Sequence, residues 1–249
     1  MPPVQPKYDP DNPEELFDRT VYFNGLLYED NVFQRQTVFR SLGNVYFDWQ
    51  LLSSLSFRTE FGVDFLSQNE ETYFNSRVAR NTGQNNGRGE NTFRHVLNYS
   101  TNNYFTFNQL FGEHSVNAVV GMSFQESTNE FAQVAGINFP KDDFRKLASA
   151  AEINEGTSVG TIFNIVSYFL RANSKFQNKF LLSASARIDG DSRFGEDERY
   201  GFFPSASVGW ILSEENFLSD NPVLSFLKLR ASFGVTGNTP IANFPSRGL

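Results

Sequence analysis

The stretch that decides the fold runs from residue 179 to residue 238 and contains KFLLSASARIDG (179–190), YGFFPSASVGWI (200–211) and LKLRASFGVTGN (227–238). In each segment, apolar residues alternate with small polar or charged residues. The first segment has one series of Phe180, Leu182, Ala184, Ala186 and Ile188 and another of Leu181, Ser183, Ser185, Arg187 and Asp189. Because successive strand side chains point to opposite faces, each segment has an apolar and a polar face. A run of about eleven such residues is typical of a membrane-spanning strand beside a polar lumen.

The composition favours the same structure. The chain of 249 residues has 28 Phe, 9 Tyr, 2 Trp and no Cys, and its mean hydropathy is -0.39. No apolar run is long enough for a transmembrane helix, whereas a β-barrel needs only alternate residues to be apolar. The net charge of -7 argues against nucleic acid as a partner. The lack of Cys excludes a disulfide scaffold and a thiolate metal site.

Period-two runs along the rest of the chain predict about eight strands. Short connections are expected at 52–54, 111–114 and 177–178, and they alternate with long polar connections at 75–91, 138–160 and 191–200. This alternation is typical of outer-membrane barrels, which have short periplasmic turns and long external loops. We expect residues 1–37 to form an irregular external loop, residues 38–249 to belong to the barrel, and residues 142–151 to form a short helix.

Aromatic residues are expected to form two belts at opposite ends of the strands, where the membrane interfaces lie. The belt beside the short turns comprises Trp49, Phe107, Phe111, Phe176, Phe180 and Trp210. The belt beside the long loops comprises Phe194, Tyr200, Phe202 and Phe203.

The sequence motifs of these strands resemble those of a known family. The segments DGDSRFGEDERYGFFPSASVGWILSEENFL (189–218) and LKLRASFGVTGN (227–238) resemble the barrel of SusC/RagA-type TonB-dependent outer-membrane transporters of Bacteroidetes. RSLGNVYFDWQLLSSLSFRTEFGVDF (40–65) is similar to an earlier hairpin of that barrel. The resemblance implies an all-β fold, an antiparallel up-and-down transmembrane barrel, of which this chain supplies about eight strands of a larger whole. With no plug domain or TonB box in the sequence, we interpret the chain as an internal barrel fragment.

The resemblance also implies a function and partners. We expect active import of an oligosaccharide or a peptide, with a SusD-like surface lipoprotein covering the substrate and TonB pulling on a plug domain. No cofactor is expected, and nothing in the sequence supports catalysis. The alternatives are a small stand-alone outer-membrane barrel, acting as a pore or an adhesin, and a soluble β-rich carbohydrate-binding module or enzyme.

Three sets of candidate site residues follow from the alternation. Charged residues of the polar series are expected to line the lumen, because a midplane Arg or Lys facing lipid costs about 2 to 4 kcal/mol. They are Arg58, Glu60, Arg171, Arg187, Lys228 and Arg230. They either pair with one another and with the plug or contact the substrate directly. The candidate substrate contacts in the loops are Tyr73, Phe74, Tyr200 and Phe203.

The acidic loop after residue 188 holds the candidate metal ligands, which are Asp189, Asp191, Glu196 and Asp197. Oxygen ligands at short spacing suit Ca²⁺. However, an EF-hand loop needs an oxygen ligand at its fifth position and Gly at its sixth, where this chain has Arg193 and Phe194. We therefore predict a solvated loop whose acids are neutralised by Arg193 and Arg199, and no metal site.

Overall fold

The computed structural model describes residues 8–9, 11–14, 25–79, 86–218 and 223–237. The chain forms two compact units, one made of residues 1–41, 65–96 and 129–160 and the other of residues 42–64, 97–128 and 161–249. We refer to them as the first and the second unit. No described helix is long and apolar enough to cross a membrane.

Eight antiparallel strands form one sheet in which every strand lies beside its sequence neighbours, in the order β1 to β8. The strands are β1 Val32–Leu52, β2 Leu55–Phe74, β3 Arg88–Phe111, β4 His114–Ile137, β5 Glu152–Phe176, β6 Phe180–Asp191, β7 Tyr200–Ile211 and β8 Lys228–Gly234. Two short helices, α1 Gly25–Asn31 and α2 Ser76–Ala79, lie outside the sheet. The predicted all-β up-and-down arrangement of eight strands is confirmed.

Three tight turns join the strands at one end of the sheet, which we term the turn end. They lie between Leu52 and Leu55, between Phe111 and His114, and between Phe176 and Phe180, as the sequence predicts. The third turn has φ values of 49° at Gln177 and 57° at Asn178. Two successive positive φ values match the right-handed twist of a hairpin, so this turn fixes the β5–β6 register.

The register of β5 to β8 confirms the two faces. Directly opposed residues share a face of the sheet. On one face, Ala172, Ala184, Ala206 and Phe233 lie opposite one another across the four strands. On the other face, the corresponding row is Asn173, Ser183, Ser207 and Ser232. We term these the apolar face and the polar face.

A row of stacked rings crosses the apolar face at the turn end. The ring centroids of His114 and Phe176 are 4.1 Å apart, those of Phe176 and Phe180 are 6.4 Å apart, and those of Phe180 and Trp210 are 6.2 Å apart. This row includes three members of the predicted belt. At the other end the predicted belt is split, because Tyr200 and Phe202 share the apolar series whereas Phe203 lies opposite Arg187 on the polar face.

The predicted boundaries are wrong at the ends of the strands beside the long loops, which we term the loop end. Residues 25–37 contain α1 and the start of β1, not an irregular loop, and residues 152–160 belong to β5. The expected helix at 142–151 is only a three-residue 3-10 turn, Leu147–Ser149. In EINEGTSVG (152–160) the period-two pattern is lost, since both faces of a strand beyond the membrane meet water.

The first unit contains a small core beneath the connection between β4 and β5. Tyr73 is 2% exposed and its ring meets that of Phe139 edge-on at 5.0 Å. The Asp142 carboxylate accepts hydrogen bonds from the Tyr73 hydroxyl at 3.1 Å and from the backbone N–H of Ser76 at 2.8 Å. These contacts hold residues 138–151 against the end of β2 and the start of α2.

Candidate functional site

A cleft of about 380 Å³ opens on the polar face at the loop end of β6 and β7, beside the middle of β4 and β5, entirely within the second unit. Its walls combine charged, hydroxyl and aromatic side chains. They include Ser123, Gln125, Ser167, Arg187, Asp189, Asp191, Phe194, Glu198, Arg199 and Phe203. Strands β4 to β7 place these residues, and the connection between β6 and β7 completes the cleft.

Arg187 is held in position on the floor of the cleft. Its Nε donates to Asp189 Oδ1 at 2.6 Å, and its Nη2 donates to Ser167 Oγ at 2.9 Å. Ser167 is 1% exposed and belongs to β5, whereas Asp189 follows Arg187 by two residues on the same face of β6. The guanidinium is therefore fixed by one local and one cross-strand partner and keeps one edge toward the cleft.

The β6–β7 connection is folded against the polar face by a buried ion pair. Arg193 Nε lies 3.0 Å from Asp191 Oδ1, and the backbone N–H of Arg193 donates to the same oxygen at 2.9 Å. Asp191 is 2% exposed, and the guanidinium of Arg193 stacks 4.2 Å from the ring centroid of Phe163. Hydrogen bonding to Asp191 raises the pKa of Arg193 above its ordinary value, against the opposing effect of burial.

Phe203 supplies the aromatic surface of the cleft. A Cβ added at Gly201 would lie 2.6 Å from the Phe203 ring, and one added at Gly237 would lie 2.3 Å from it. The ring thus packs directly on the backbone of two glycines, and a larger residue at either position would move it. Tyr200 lies over Gly190 on the apolar face, and Tyr200 is 66% exposed.

The cleft presents donors, acceptors and a ring face to one ligand. Arg187 and Arg199 offer guanidinium donors, Asp189 and Glu198 offer carboxylates, and Phe203 offers a surface for stacking or apolar contact. Among the described residues, Arg199 Nε is buried without a hydrogen-bond partner. Such a mixture suits a polar, uncharged or zwitterionic solute better than an apolar one.

The candidate metal ligands are not brought together. Asp191 is engaged by Arg193, Asp189 is engaged by Arg187, and Glu196 and Asp197 lie exposed in a 3-10 turn, Glu196–Glu198. In the part of the chain that the structure describes, no group of three His, Asp or Glu residues could hold a metal ion. The loop is therefore organised by its arginines.

The predicted lumen-lining residues all belong to the polar series. Arg58 Nε donates to Asp48 Oδ1 at 2.7 Å and its guanidinium lies 4.5 Å from the ring centroid of Tyr46, while Glu60 accepts from the Tyr104 hydroxyl at 3.1 Å. The remaining residues have register partners on that face. The opposed pairs are Arg171 with Ser185, Arg187 with Phe203, Lys228 with Ile211, and Arg230 with Gly209.

Two of the candidate substrate contacts lie elsewhere. The prediction that Tyr73 contacts substrate is wrong, because its ring is buried beneath Phe139 in the first unit and has no face open to a ligand. Phe74 meets the ring of Tyr28 edge-on at 6.2 Å, also in the first unit. Of the four, Phe203 alone lines the cleft. Sequence reasoning missed Ser167 and Phe163, because only the β5–β6 register brings them to Arg187 and Arg193.

The fold and its two faces define an outer-membrane β-barrel wall, and comparison with known proteins identifies the family. Residues 4–247 match the family described as TonB dependent receptor-like, beta-barrel. The chain belongs to this family, whose members are receptors of the outer membrane. The resemblance to SusC/RagA transporters that the strand motifs indicated is confirmed.

Individual relatives support the same assignment. The chain is 33% identical to the TonB-dependent receptor SusC of Bacteroides thetaiotaomicron over 81% of its length, and 34% identical to the TonB-dependent receptor P39 of Formosa agariphila over 82%. It covers 20% of each of these proteins. A solved structure of the RagAB peptide transporter aligns with a TM-score of 0.82 at 19% identity, covering 92% of this chain and 27% of that one. The chain thus spans about a fifth of the curated relatives it matches.

Proposed function

We propose that this chain forms part of the lumen wall of an outer-membrane transporter that imports oligosaccharides or peptides by TonB-dependent active transport. One observation carries the proposal: the sheet of a chain that belongs to this receptor family has an apolar face and a polar face. The apolar face would contact lipid, and the polar face would line the route of the cargo.

The cleft supports a direct role in binding the cargo. It lies on the polar face beside the β6–β7 connection, and Arg187, Asp189 and Phe203 can hydrogen-bond and stack with one solute. Sugar rings and peptides both offer hydroxyl or amide groups beside apolar surface. The chain would contribute wall and external loops, without catalysis and without a cofactor.

The proposed partners follow from the family. A SusD-like surface lipoprotein would cover the cargo, and TonB would supply energy through parts of the transporter that are separate from these strands. The resemblance of the strand motifs to SusC/RagA transporters supports both partners. A soluble β-rich module is disfavoured, because Leu182, Val208, Leu229 and Phe233 on the apolar face are each more than half exposed.

Adjacent cysteine variants of the full-length protein that carries this chain test the wall. We expect Ser183→Cys, on the polar face, to react with a water-soluble maleimide at least about tenfold faster than Ala184→Cys, on the apolar face, in intact outer membranes. A lipid-soluble maleimide should show the opposite preference. Equal labelling of both variants by both reagents would exclude a lumen wall.

Uptake measurements test the activity. Cells that depend on the full-length protein should accumulate labelled oligosaccharide or oligopeptide, and uptake should cease when TonB is deleted or the proton gradient is collapsed. Phe203→Ala should reduce uptake more than Tyr200→Ala, because only the Phe203 ring lines the cleft. Uptake that persists without TonB would contradict the proposed mechanism.

A further inference from the structure

Two groups of cations among the described residues differ in their partners. In the first group, an acid two residues away along the chain forms an ion pair with an arginine guanidinium, at 3.6 Å or less. The pairs are Arg58 with Glu60, Arg88 with Glu90, Arg187 with Asp189, and Arg193 with Asp191. These cations are neutralised within the chain itself.

The second group lies toward the turn end on the polar face of β5 to β8. Four cations there form no ion pair or hydrogen bond with any other residue in the described ranges. They are Arg171, Lys175, Lys228 and Arg230, which we term the basic patch. All four are exposed, and within the described ranges no acid lies two residues from any of them.

The register places small hydroxyl residues between these cations. One row across the four strands is Lys175, Leu181, Gly209 and Arg230, and another is Arg171, Ser185, Ser205 and Gly234. The row between them consists of Asn173, Ser183, Ser207 and Ser232. A floor of serines therefore separates two rows that each carry a guanidinium.

The serine floor forms a recess rather than a filled surface. Arg171 and Arg230 line one depression of about 390 Å³ together with Ser183, Ser185, Ser205, Ser207 and Ser232. Arg171 and Arg230 are separated by three strand spacings of about 4.8 Å and by four residues of about 3.4 Å along the strands, so their Cα atoms lie roughly 20 Å apart, at opposite corners of the floor. The Ser185 and Ser205 hydroxyls are hydrogen-bonded at 2.7 Å.

This arrangement has the chemistry of a carboxylate site. Guanidinium groups bind carboxylates with paired N–H donors, and hydroxyls add further donors. The two guanidinium groups that line the recess, with Lys175 and Lys228 nearby on the same face, attract anions from solution. Among the described residues the recess contains no carboxylate that could neutralise it.

We propose that the basic patch binds carboxylate groups of an acidic cargo as it moves along the polar face. This inference rests on the proposed function, since it requires that the polar face lines the import route. The carboxylates can belong to uronate residues of an oligosaccharide or to acidic side chains of a peptide. Both sources share the chemistry that the recess recognises, and the experiment separates them.

The test uses the purified full-length protein and two matched pairs of probes, with binding measured by calorimetry at low salt. One pair is tetragalacturonate and its methyl ester. The other is an acetylated and amidated Gly-Glu-Gly-Glu-Gly peptide and its Gln counterpart. At least one acidic probe should bind about tenfold more tightly than its neutral partner. The pair that shows the difference identifies the source.

The variants locate the effect. Arg171→Gln combined with Arg230→Gln should abolish the preference for the acidic probe, and the corresponding Lys variants should retain part of it. Arg94→Gln is the matched control, because Arg94 is an exposed cation of β3 whose one side-chain partner among the described residues is Asn129. It should leave the preference unchanged.

Three results would overturn the proposal. Acidic and neutral probes could bind equally, or the preference could persist in the double Gln variant. The double Gln variant could also lose affinity for all probes equally and lose thermal stability as well. That result would indicate that the patch holds a fixed acidic protein segment. TonB-dependent uptake of a neutral cargo would survive each of these results, so the proposed function is tested separately.

Discussion

On β5 to β8, the arginines at the two ends of the polar face differ in whether they form ion pairs. At the loop end, Arg187 and Arg193 are held by acids two residues away, and the cleft is built around these ion pairs. At the turn end, Arg171 and Arg230 flank a serine floor without any described acid partner. Paired arginines organise structure, whereas unpaired arginines remain available to a ligand. The difference depends on one residue in each case, the residue two positions from the arginine, which is an acid at the loop end and is not an acid at the turn end.

The first prediction concerns the loss of the Asp191–Arg193 ion pair at the loop end. Asp191→Ala leaves the Arg193 guanidinium largely buried without its counter-charge, and breaking a buried pair costs about 3 kcal/mol. We expect the connection at 192–199 to open, so that trypsin cleaves after Arg193 or Arg199 about a hundredfold faster than in the unmodified protein. The rate of appearance of the cleaved band measures the effect.

Asp197→Ala is the control for that experiment, since it removes the same charge from an exposed position of the same connection. It should leave the cleavage rate nearly unchanged. If both variants are cleaved at the same rate, the Asp191–Arg193 pair does not hold the connection in place.

The second prediction converts the unpaired end into a paired one. Ser185→Asp places a carboxylate directly opposite Arg171 on the neighbouring strand. The new acid should occupy the guanidinium, so that affinity for the acidic probe falls about tenfold while affinity for the neutral probe is kept. Ser185→Asn, which has the same size without the charge, should change neither affinity. An equal loss in both variants would indicate a steric effect.

The third prediction makes the paired end resemble the unpaired one. Asp189→Asn removes the acid that holds Arg187 Nε and leaves the hydrogen bond to Ser167. Affinity of the cleft for an acidic probe should rise about threefold, the gain expected for an exposed charge pair. Calorimetry with the matched probes measures it. A fall in affinity would mean that Asp189 itself binds the ligand.

Much of this comparison is visible in the sequence. An arginine with an acid two residues away in a strand, as in Arg58-Thr59-Glu60 or Arg187-Ile188-Asp189, predicts a same-face ion pair, because strand side chains alternate. The absence of such an acid near Arg171 is equally visible. The cross-strand partners are not, since Ser167 reaches Arg187 and Phe163 reaches Arg193 only through a register set by the turn at Gln177 and Asn178.

The ends of the strands could be predicted from the sequence in only part of the chain. Within 179–211 one face must be apolar, so alternation marks the strands to within about two residues. At 152–160 the strand continues without that requirement, held by its backbone ladder and by contacts such as the ion pair of Arg88 with Glu155 at 2.9 Å. Hydropathy has no period there, and the segment is indistinguishable from a loop.

The row of stacked rings from His114 to Trp210 also sets a depth scale for the wall. Aromatic rows of this kind lie at a membrane interface, and strands tilted by about 40° rise roughly 2.5 Å per residue along the membrane normal. Measured from Phe180, the serines at 183 and 185 then lie roughly 8 to 13 Å into an apolar band about 25 Å thick, and Asp191 lies near its far boundary. Arg171, which lies opposite Ser185, is thus at mid-depth, whereas Lys175 and Arg230, in the row of Leu181, lie close to the interface that the rings mark. The cleft is at the opposite surface.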